Sequence, residues 1–212
     1  MKERKGTIDM HKKRKVIIVT DGDEYAKRTV EFVAGEIGGR CISVSQGNPT
    51  VIRGPELVGL IKQTPCDPVL IMVDDSGYIG EGAGEHVMKH LAKHSDIEIL
   101  GIIAVASKTK HSEWTKVDVC IDRDGNLTGN GVDKFGVPEM ERGIINGDTV
   151  YSIDSLNVPI VVGIGDIGKM AAKDRIEIGS PITKMAVELI LERSGLNDRK
   201  AEGSKKENPE ES

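Results

Sequence analysis

Short apolar runs alternate with amphipathic stretches along most of this chain. Runs bounded by turn residues, as is typical of strands buried on both faces, lie at 16–20, 41–45, 69–73, 99–105 and 158–164. Apolar residues at helical spacing predict helices over about 23–37, 55–64 and 83–94. A last helix is predicted from Ser180 to Arg193, with Ser180 as its N-cap and Pro181 in its first turn.

This alternation of strand and helix predicts the fold. It favours an α/β protein with a three-layer, doubly wound, mostly parallel sheet, either Rossmann-like or toprim-like. We expect a single domain at 15–195, between a basic flexible leader at 1–14 and a disordered charged tail at 196–212. Met10 could be the true start of the chain. A further strand is predicted at 117–122, and the polar stretch that follows it, up to about residue 149, gives no clear pattern.

Composition and charge narrow the class of protein. Apolar residues make up 38% of the 212 residues and aromatic residues only 3%, so the core must be aliphatic. The net charge of −5 argues against a nucleic-acid partner. No apolar run approaches the roughly 18–20 residues that span a bilayer, and no signal peptide is recognisable. The three cysteines are far apart, and we expect them to be reduced and packed.

Acidic residues follow two of the predicted strands at once. Asp21 and Asp23 come after the first strand, and Asp74, Asp75 and Ser76 come after the strand at 69–73. If the two strands are parallel neighbours, these side chains gather at the carboxyl edge of the sheet, where open α/β folds place ligands. Such carboxylates could bind Ca²⁺ or Mg²⁺, or a cationic partner. The alternative is ordinary turn chemistry, with Asp23 as a helix N-cap.

Two glycine-rich segments could also bind ligands. The first follows the acidic pair and has glycines at Gly77, Gly80, Gly82 and Gly84, so it is either a mobile ligand loop or a flexible connection. The second, at 163–168, has the form GxGxxG, but it lies late in the chain and its aspartate would repel phosphate. We interpret the second segment as tight packing between a strand and the helix expected after it.

Two further features are weak candidates for function. His86, His90 and His94 share one helical face, which is the spacing of some metal sites, but they flank the predicted buried stripe and a solvated face is favoured. Trp114 lies in a polar stretch and could either pack on the core or anchor a partner. No nucleophile elbow, phosphate-binding P-loop, zinc signature or serine–histidine–aspartate pattern is visible, so an enzyme is disfavoured.

Long strings of the sequence resemble the AE subunits of the stage V sporulation A proteins of spore-forming bacteria. The resemblance covers residues 11–195. It is carried by KRKVIIVTDGDEYAKRTVE (13–31), RCISVSQGNPT (40–50), VLIMVDDSGYIGEGAGE (69–85), GIIAVASKTKH (101–111), VDVCIDRDGNLTGNGVDKFG (117–136) and VVGIGDIGKM (161–170).

The resemblance implies a function that composition alone does not. It implies a soluble, non-catalytic accessory subunit of the complex that takes up Ca-dipicolinic acid during sporulation and releases it in germination. The expected partners are other stage V sporulation A proteins, and the expected location is peripheral at the inner spore membrane. The basic leader could assist by contacting anionic lipid. Whether dipicolinate contacts this chain stays open, and no catalytic residues carry over.

The alternative is an Mg²⁺-dependent phosphotransfer or phosphoester enzyme that uses the acidic cluster. The acidic turns also resemble those of toprim and response-regulator-like domains. The toprim pattern, however, has a glutamate after the first strand and an Asp-x-Asp after a later one, and here Asp21 and the sequence Asp74-Asp75-Ser76 stand in those places. These departures count against a nuclease or topoisomerase activity.

Overall fold

A mostly parallel sheet runs through the centre of the protein. The computed structural model describes residues 12–107 and 113–195, so most of the leader and the whole tail predicted above lie outside the described residues. The helices are α1 (Glu24–Glu36), α2 (Gly54–Gln63), α3 (Ala83–Lys93) and α4 (Pro181–Arg193). The strands are β1 (Arg14–Val19), β2 (Arg40–Cys41), β3 (Val69–Met72), β4 (Ile97–Val105), β5 (Glu113–Lys116), β6 (Val119–Ile121), β7 (Leu127–Thr128), β8 (Asn130–Val132), β9 (Pro138–Arg142), β10 (Ile144–Gly147) and β11 (Val161–Ile164).

The central sheet has the order β2-β3-β1-β4-β11-β6-β7. Every neighbouring pair is parallel except β6 and β7, which form an antiparallel hairpin. The chain leaves β1 towards β2 and returns to β4 on the other side of β1. The strand order therefore reverses at the β1–β4 pair, and the crevice above such a point is the usual ligand position in open α/β sheets.

The helices cover both faces of the sheet, so the predicted three-layer α/β fold in a single domain is confirmed. Buried residues of α1 and α4 pack in one core cluster, and those of α2 and α3 pack in the other. Strands β1, β3 and β4 contribute alternate residues to the two clusters, because successive side chains of a strand point to opposite faces. This double burial explains their continuous apolar sequences.

The region between β6 and β11 holds strands that the sequence pattern did not reveal. It adds the β8–β9 hairpin, and β10 pairs with β5 in a second two-stranded sheet. These strands are short, and β9 is largely exposed with Met140 at 97% exposure, so they lack the apolar runs by which buried strands are recognised. The segment Asp124-Gly125-Asn126 lies in the hairpin turn between β6 and β7.

Two predicted element boundaries differ from the structure. The strand expected at 41–45 is a two-residue strand followed by a 3-10 turn at Ser43–Ser45, because the Ser45 hydroxyl bonds locally to the carbonyl of Ile42. Strand β1 begins at Arg14, which the sequence pattern had placed in the leader. The Arg14 guanidinium donates to Asp67 and to Thr64, and these bonds fix it to the segment before β3.

Candidate functional site at the carboxyl edge of the sheet

Polar residues follow the central strands at one edge of the sheet. Asp21 lies just after β1, Asp74 after β3, Ser107 after β4 and Asp166 after β11. Because these strands are parallel, their carboxyl ends meet at the same edge, at the point where the strand order reverses. The sequence signal that predicted Asp21 and Asp74 as neighbours was therefore the pattern of buried strands.

A cavity of about 200 Å³ lies at this edge. Carboxylates, ammonium groups and other polar groups form most of its wall. Its lining residues are Thr20, Asp21, Asp23, Asn48, Asp74, Val105, Ser107, Lys134, Asp148, Asp166 and Lys169. Three of the four aspartates predicted from the sequence, Asp21, Asp23 and Asp74, thus share one cavity.

The two acidic turns are joined directly. The backbone N–H of Gly22 donates to Oδ2 of Asp74 at 3.1 Å, and the N–H of Ser76 donates to Oδ1 of the same carboxylate at 2.6 Å. Asp23 serves a second purpose as the N-cap of α1, since its Oδ1 accepts from the N–H of Ala26 at 2.8 Å. The capping interpretation of Asp23 is therefore confirmed, and Asp23 lines the cavity as well.

Burial disfavours the charged form of the carboxyl groups at the cavity. Burial, followed by the nearby charges of Asp23 and Asp166, raises the pKa of Asp21 well above its ordinary value. Burial also raises the pKa of Asp74 to about 6, against the lowering effect of the hydrogen bonds from Ser76 and Gly22. Both shifts arise mainly because burial removes the water that would stabilise the charged carboxylate.

Asp166 and Lys169 form an ion pair in the cavity wall, with Lys169 Nζ 2.5 Å from Asp166 Oδ2. Burial raises the pKa of Asp166 in spite of this pair. The other carboxylate oxygen, Oδ1, is buried and has no hydrogen-bond partner among the described residues, and the same holds for the hydroxyl of Ser107. These two atoms of the cavity wall are therefore free to form hydrogen bonds with a bound molecule.

Asp75 lies apart from this cavity wall. Its Oδ1 accepts from the N–H of Gly84 at 2.6 Å, near the N-terminus of α3, and its own N–H donates to the hydroxyl of Thr149. A side chain at Gly82 would collide with the Asp75 carboxylate, which explains glycine at that position. Asp75 therefore positions the start of α3.

The glycine-rich loop is tied down at several points. The N–H of Gly77 donates to Asp148 Oδ2 at 3.1 Å, and the N–H of Gly80 donates to Glu113 Oε1 at 2.6 Å. Gly77 and Gly80 have positive φ, as does Ser76 with φ 53°. The loop is thus held by carboxylates from the strands inserted between β4 and β11, while its own residues Gly77, Gly80, Gly82 and Gly84 do not line the cavity.

The described residues form no complete metal-binding site at this edge. Among residues 12–107 and 113–195, no group of three or more histidine, cysteine, aspartate or glutamate side chains is arranged to hold a metal ion. The predicted Ca²⁺ or Mg²⁺ ligands would therefore supply only part of a coordination shell. His86 is exposed, and the rings of His90 and His94 are 6.1 Å apart on the flank of α3.

Several lining residues were missed from the sequence. Asp166 lies in the GxGxxG segment and Lys169 directly after it, whereas Lys134 lies between β8 and β9 and Asp148 directly after β10. No regular pattern marks them, because they lie in turns far apart in the chain. The GxGxxG segment itself is explained by packing: a side chain at Gly163 would strike Cys120 Sγ, and one at Gly165 would strike the backbone of Gly136.

The family model for stage V sporulation protein AE1 matches residues 15–194 of this chain. The chain belongs to this family. Comparisons with curated proteins and with solved structures give no significant match. Membership implies a role in sporulation, and the family is not a known enzyme family. In the described part of the chain, no helix has the length and apolar character needed to cross a membrane.

Proposed function

We propose that this chain is an accessory subunit of the spore inner-membrane complex that takes up Ca-dipicolinic acid during sporulation and releases it in germination. The observation that carries the proposal is the family match over residues 15–194, which covers nearly all of the described residues. In this role the chain works by contact with other stage V sporulation A proteins. The peripheral position at the membrane is part of the same proposal.

One exposed surface supports a docking role. Tyr78 and Ile79 of the glycine-rich loop are 62% and 56% exposed, and Trp114 of β5 is 53% exposed. The bond from Gly80 to Glu113 holds the loop beside β5, so these side chains lie on neighbouring segments. Large exposed apolar side chains of this kind are enriched where proteins bind one another.

The charges around this surface favour a protein partner over an anionic membrane. Glu81, Glu113 and Asp148 flank or hold the loop. Glu81 is paired with Lys89, but the negative charges of Glu113 and Asp148 would repel anionic lipid, whereas a partner subunit with apolar side chains inside a basic rim would be complementary. The docking surface therefore consists of Tyr78, Ile79 and Trp114.

Spores lacking this chain test the proposal. We expect such spores to contain less dipicolinic acid or to release it more slowly in germination, and expression of the wild-type chain should restore both. A Tyr78→Ala/Trp114→Ala variant should restore neither and should lose crosslinking to membrane proteins of the complex. A Met140→Ala variant is the control, since Met140 is exposed on β9. Normal content and release in spores without the chain would contradict the proposal.

The cavity at the sheet edge favours one second candidate, an Mg²⁺-dependent phosphoester or phosphotransfer enzyme. Its wall combines carboxylates such as Asp21 and Asp74 with the ammonium groups of Lys134 and Lys169. Carboxylates that hold Mg²⁺ and lysines that hold phosphate are the general requirements of that chemistry. Turnover of p-nitrophenyl phosphate with Mg²⁺, lost in Asp21→Asn, would support this function, and the accessory-subunit proposal expects no turnover.

A further inference from the structure

The cavity at the carboxyl edge of the β1–β4 pair is lined by more negatively charged than positively charged side chains. Its wall holds carboxylates from five aspartates and ammonium groups from two lysines, and they are Asp21, Asp23, Asp74, Asp148 and Asp166 with Lys134 and Lys169. Only one ion pair, Lys169 with Asp166, is formed between these groups in the described residues. Asp21 and Asp74 are 8% and 4% exposed and have no ion pair there. Asp74 accepts two backbone N–H groups and Asp21 accepts one, so hydrogen bonds hold these carboxylates but leave their charge without an ion pair in the described residues.

Two polar atoms in the cavity wall are buried and have no hydrogen-bond partner among the described residues. Asp166 is 7% exposed and lines the cavity, and its Oδ1 has no hydrogen-bond partner among the described residues. The hydroxyl of Ser107, on the same wall, is also buried without a partner. Buried polar atoms in folded proteins are almost always hydrogen-bonded, and exceptions call for a reason such as a bound ion or ligand. These two atoms on one wall can form hydrogen bonds with a bound ligand or with water.

The carboxylates suit a cation that brings other ligands with it. No group of three or more carboxylate, histidine or cysteine side chains is placed for a metal among the described residues. Hard cations such as Mg²⁺ are commonly held by one or two protein carboxylates, with water and an anionic ligand completing the shell. Asp21 and Asp74 can supply that pair, because the Gly22–Asp74 hydrogen bond fixes their turns together.

The two lysines suit the anion. Lys134 is half-buried at the cavity and makes no ion pair among the described residues, its ammonium group lying 4.9 Å from the centre of the Phe135 ring. Lys169 shares the same cavity. Ammonium groups form charge-assisted hydrogen bonds with carboxylate or phosphate oxygens. An anion alone would meet the surrounding aspartates, whereas an anion already bound to a divalent cation would not be repelled.

The geometry points to a site for a small oxyanion bound together with the divalent cation that it chelates, with Asp21 and Asp74 on the cation and Lys134 and Lys169 on the anion. The cavity volume of about 200 Å³ is sufficient for a phosphate or a small dicarboxylate.

Calorimetric titration of the full chain tests this site. The ligands are Ca²⁺, dipicolinate, Mg²⁺ and inorganic phosphate, each alone, and then the Ca²⁺–dipicolinate and Mg²⁺–phosphate mixtures. We expect one mixture to bind at least tenfold more tightly than either of its components. The mixture that binds identifies the oxyanion, and the choice of dipicolinate for one arm rests on the proposed function.

Matched variants assign the two halves of the site. In Asp21→Asn the cation should no longer strengthen binding of the anion, and the mixture should bind at least tenfold more weakly. Lys134→Met should weaken binding of the mixture because it removes a contact to the anion. The controls are Asp96→Asn and Lys62→Met, which make the same substitutions in an exposed ion pair near the amino-terminal end of β4. Lys134 lies on a half-buried turn, so its variant keeps the test valid if Asp21→Asn folds poorly.

The outcomes separate this site from the proposed function. Mixtures that bind no better than their components, or binding that survives both site variants, would overturn the site. Spores that need this chain for dipicolinic acid would still support the accessory subunit in that case. Binding of Mg²⁺–phosphate without Ca²⁺–dipicolinate would support the site and remove contact with dipicolinate from the proposed function.

Discussion

The backbone N–H of Gly22 donates a 3.1 Å hydrogen bond to Oδ2 of Asp74, and this bond links the turn after β1 to the turn after β3. The approach is close because Gly22 has no side chain. A Cβ at position 22 would lie 2.2 Å from the carbonyl oxygen of Gly47 and 2.8 Å from the Cβ of Asp74. The acidic edge of the sheet thus depends on a glycine that carries no chemistry of its own.

Gly22→Ala should therefore destabilise the protein and disturb the cavity. The added methyl group meets backbone atoms that cannot move aside easily, and we expect a loss of about 1–3 kcal/mol in the free energy of unfolding. Urea denaturation measures it. Gly59→Ala is the matched control, because a Cβ at position 59 in α2 meets nothing within 4 Å. Alanine there should be neutral or stabilise by up to about 1 kcal/mol. Equal effects at the two positions would contradict this account.

Glu85 should make stability depend on pH. The side chain is fully buried and accepts hydrogen bonds from the N–H and hydroxyl of Ser152, and burial raises its pKa from 4.5 to about 7. The folded protein therefore keeps this proton at pH values where the unfolded chain releases it. Its stabilising contribution is complete below about pH 4.5 and is lost as pH rises through about 7.

Glu85→Gln should remove this part of the pH dependence. Glutamine can accept from Ser152 but carries no charge, so the variant should gain stability over the wild type at pH 8, on the order of 1–3 kcal/mol. At pH 5 the two proteins should differ little. Thermal unfolding midpoints at pH 5 and pH 8 provide the measurement. An equal pH dependence in both proteins would show that Glu85 titrates normally.

Asp174 should matter more to α4 than Ser180 does. Oδ1 of Asp174 accepts from the N–H groups of Ile182 and Thr183, and its Oδ2 accepts from the Thr183 hydroxyl. Ser180 occupies the N-cap position with φ 45°, makes no side-chain capping bond, and its hydroxyl is buried without a partner among the described residues. Ser180 therefore has the predicted N-cap position, but its side chain makes no capping bond, and Asp174 accepts the N–H groups instead from outside the helix.

Alanine variants distinguish the two residues. Asp174→Ala leaves buried N–H groups of α4 unsatisfied and should cost about 1–3 kcal/mol. Ser180→Ala removes a hydroxyl that makes no bond and should change stability by less than about 0.5 kcal/mol, whereas loss of a true N-cap costs about 1 kcal/mol. Urea unfolding of both variants is the measurement. A larger loss for Ser180→Ala would restore the prediction from sequence.

Cys41 and Cys120 should both react slowly with thiol reagents in the native protein. Burial raises the pKa of Cys41 to about 12 and that of Cys120 to about 11, so both thiols stay protonated at neutral pH. Labelling of the native protein with a thiol reagent at pH 7.5 should be slow at both positions and fast at both in denaturant, with peptide mass spectrometry to assign the sites. Fast native labelling of Cys120, which is fully buried, would mean that the sheet near β6 opens readily.

Much of the fold could be predicted from the sequence because buried parallel strands leave continuous apolar runs. The runs that contain β1 and β3 predicted that Asp21 and Asp74 would meet, and they line one cavity. Asp75 is adjacent in sequence to Asp74 but contacts the start of α3, because consecutive residues after a strand face different neighbours. The sequence does not indicate which residue of such a pair faces the cavity.

The rest of the cavity could not be predicted because it is assembled by tertiary contacts. Lys134 lies between β8 and β9, two strands too short and too polar to show a period. Lys169 follows β11 in irregular turns, and its position depends on the ion pair with Asp166. Neither residue belongs to a motif, so only the arrangement of the strands brings them to the acidic turns.

The position of β11 has a consequence for synthesis of the protein. This strand is the last one in the chain, yet it lies between β4 and β6 in the sheet. A nascent chain that ends before Val161 has β4 without its outer neighbour and lacks Asp166 and Lys169 altogether. An unpaired apolar strand edge invites aggregation. The cavity is therefore completed only near the end of translation. In a chain stalled before that point, the exposed edge of β4 would be prone to aggregation.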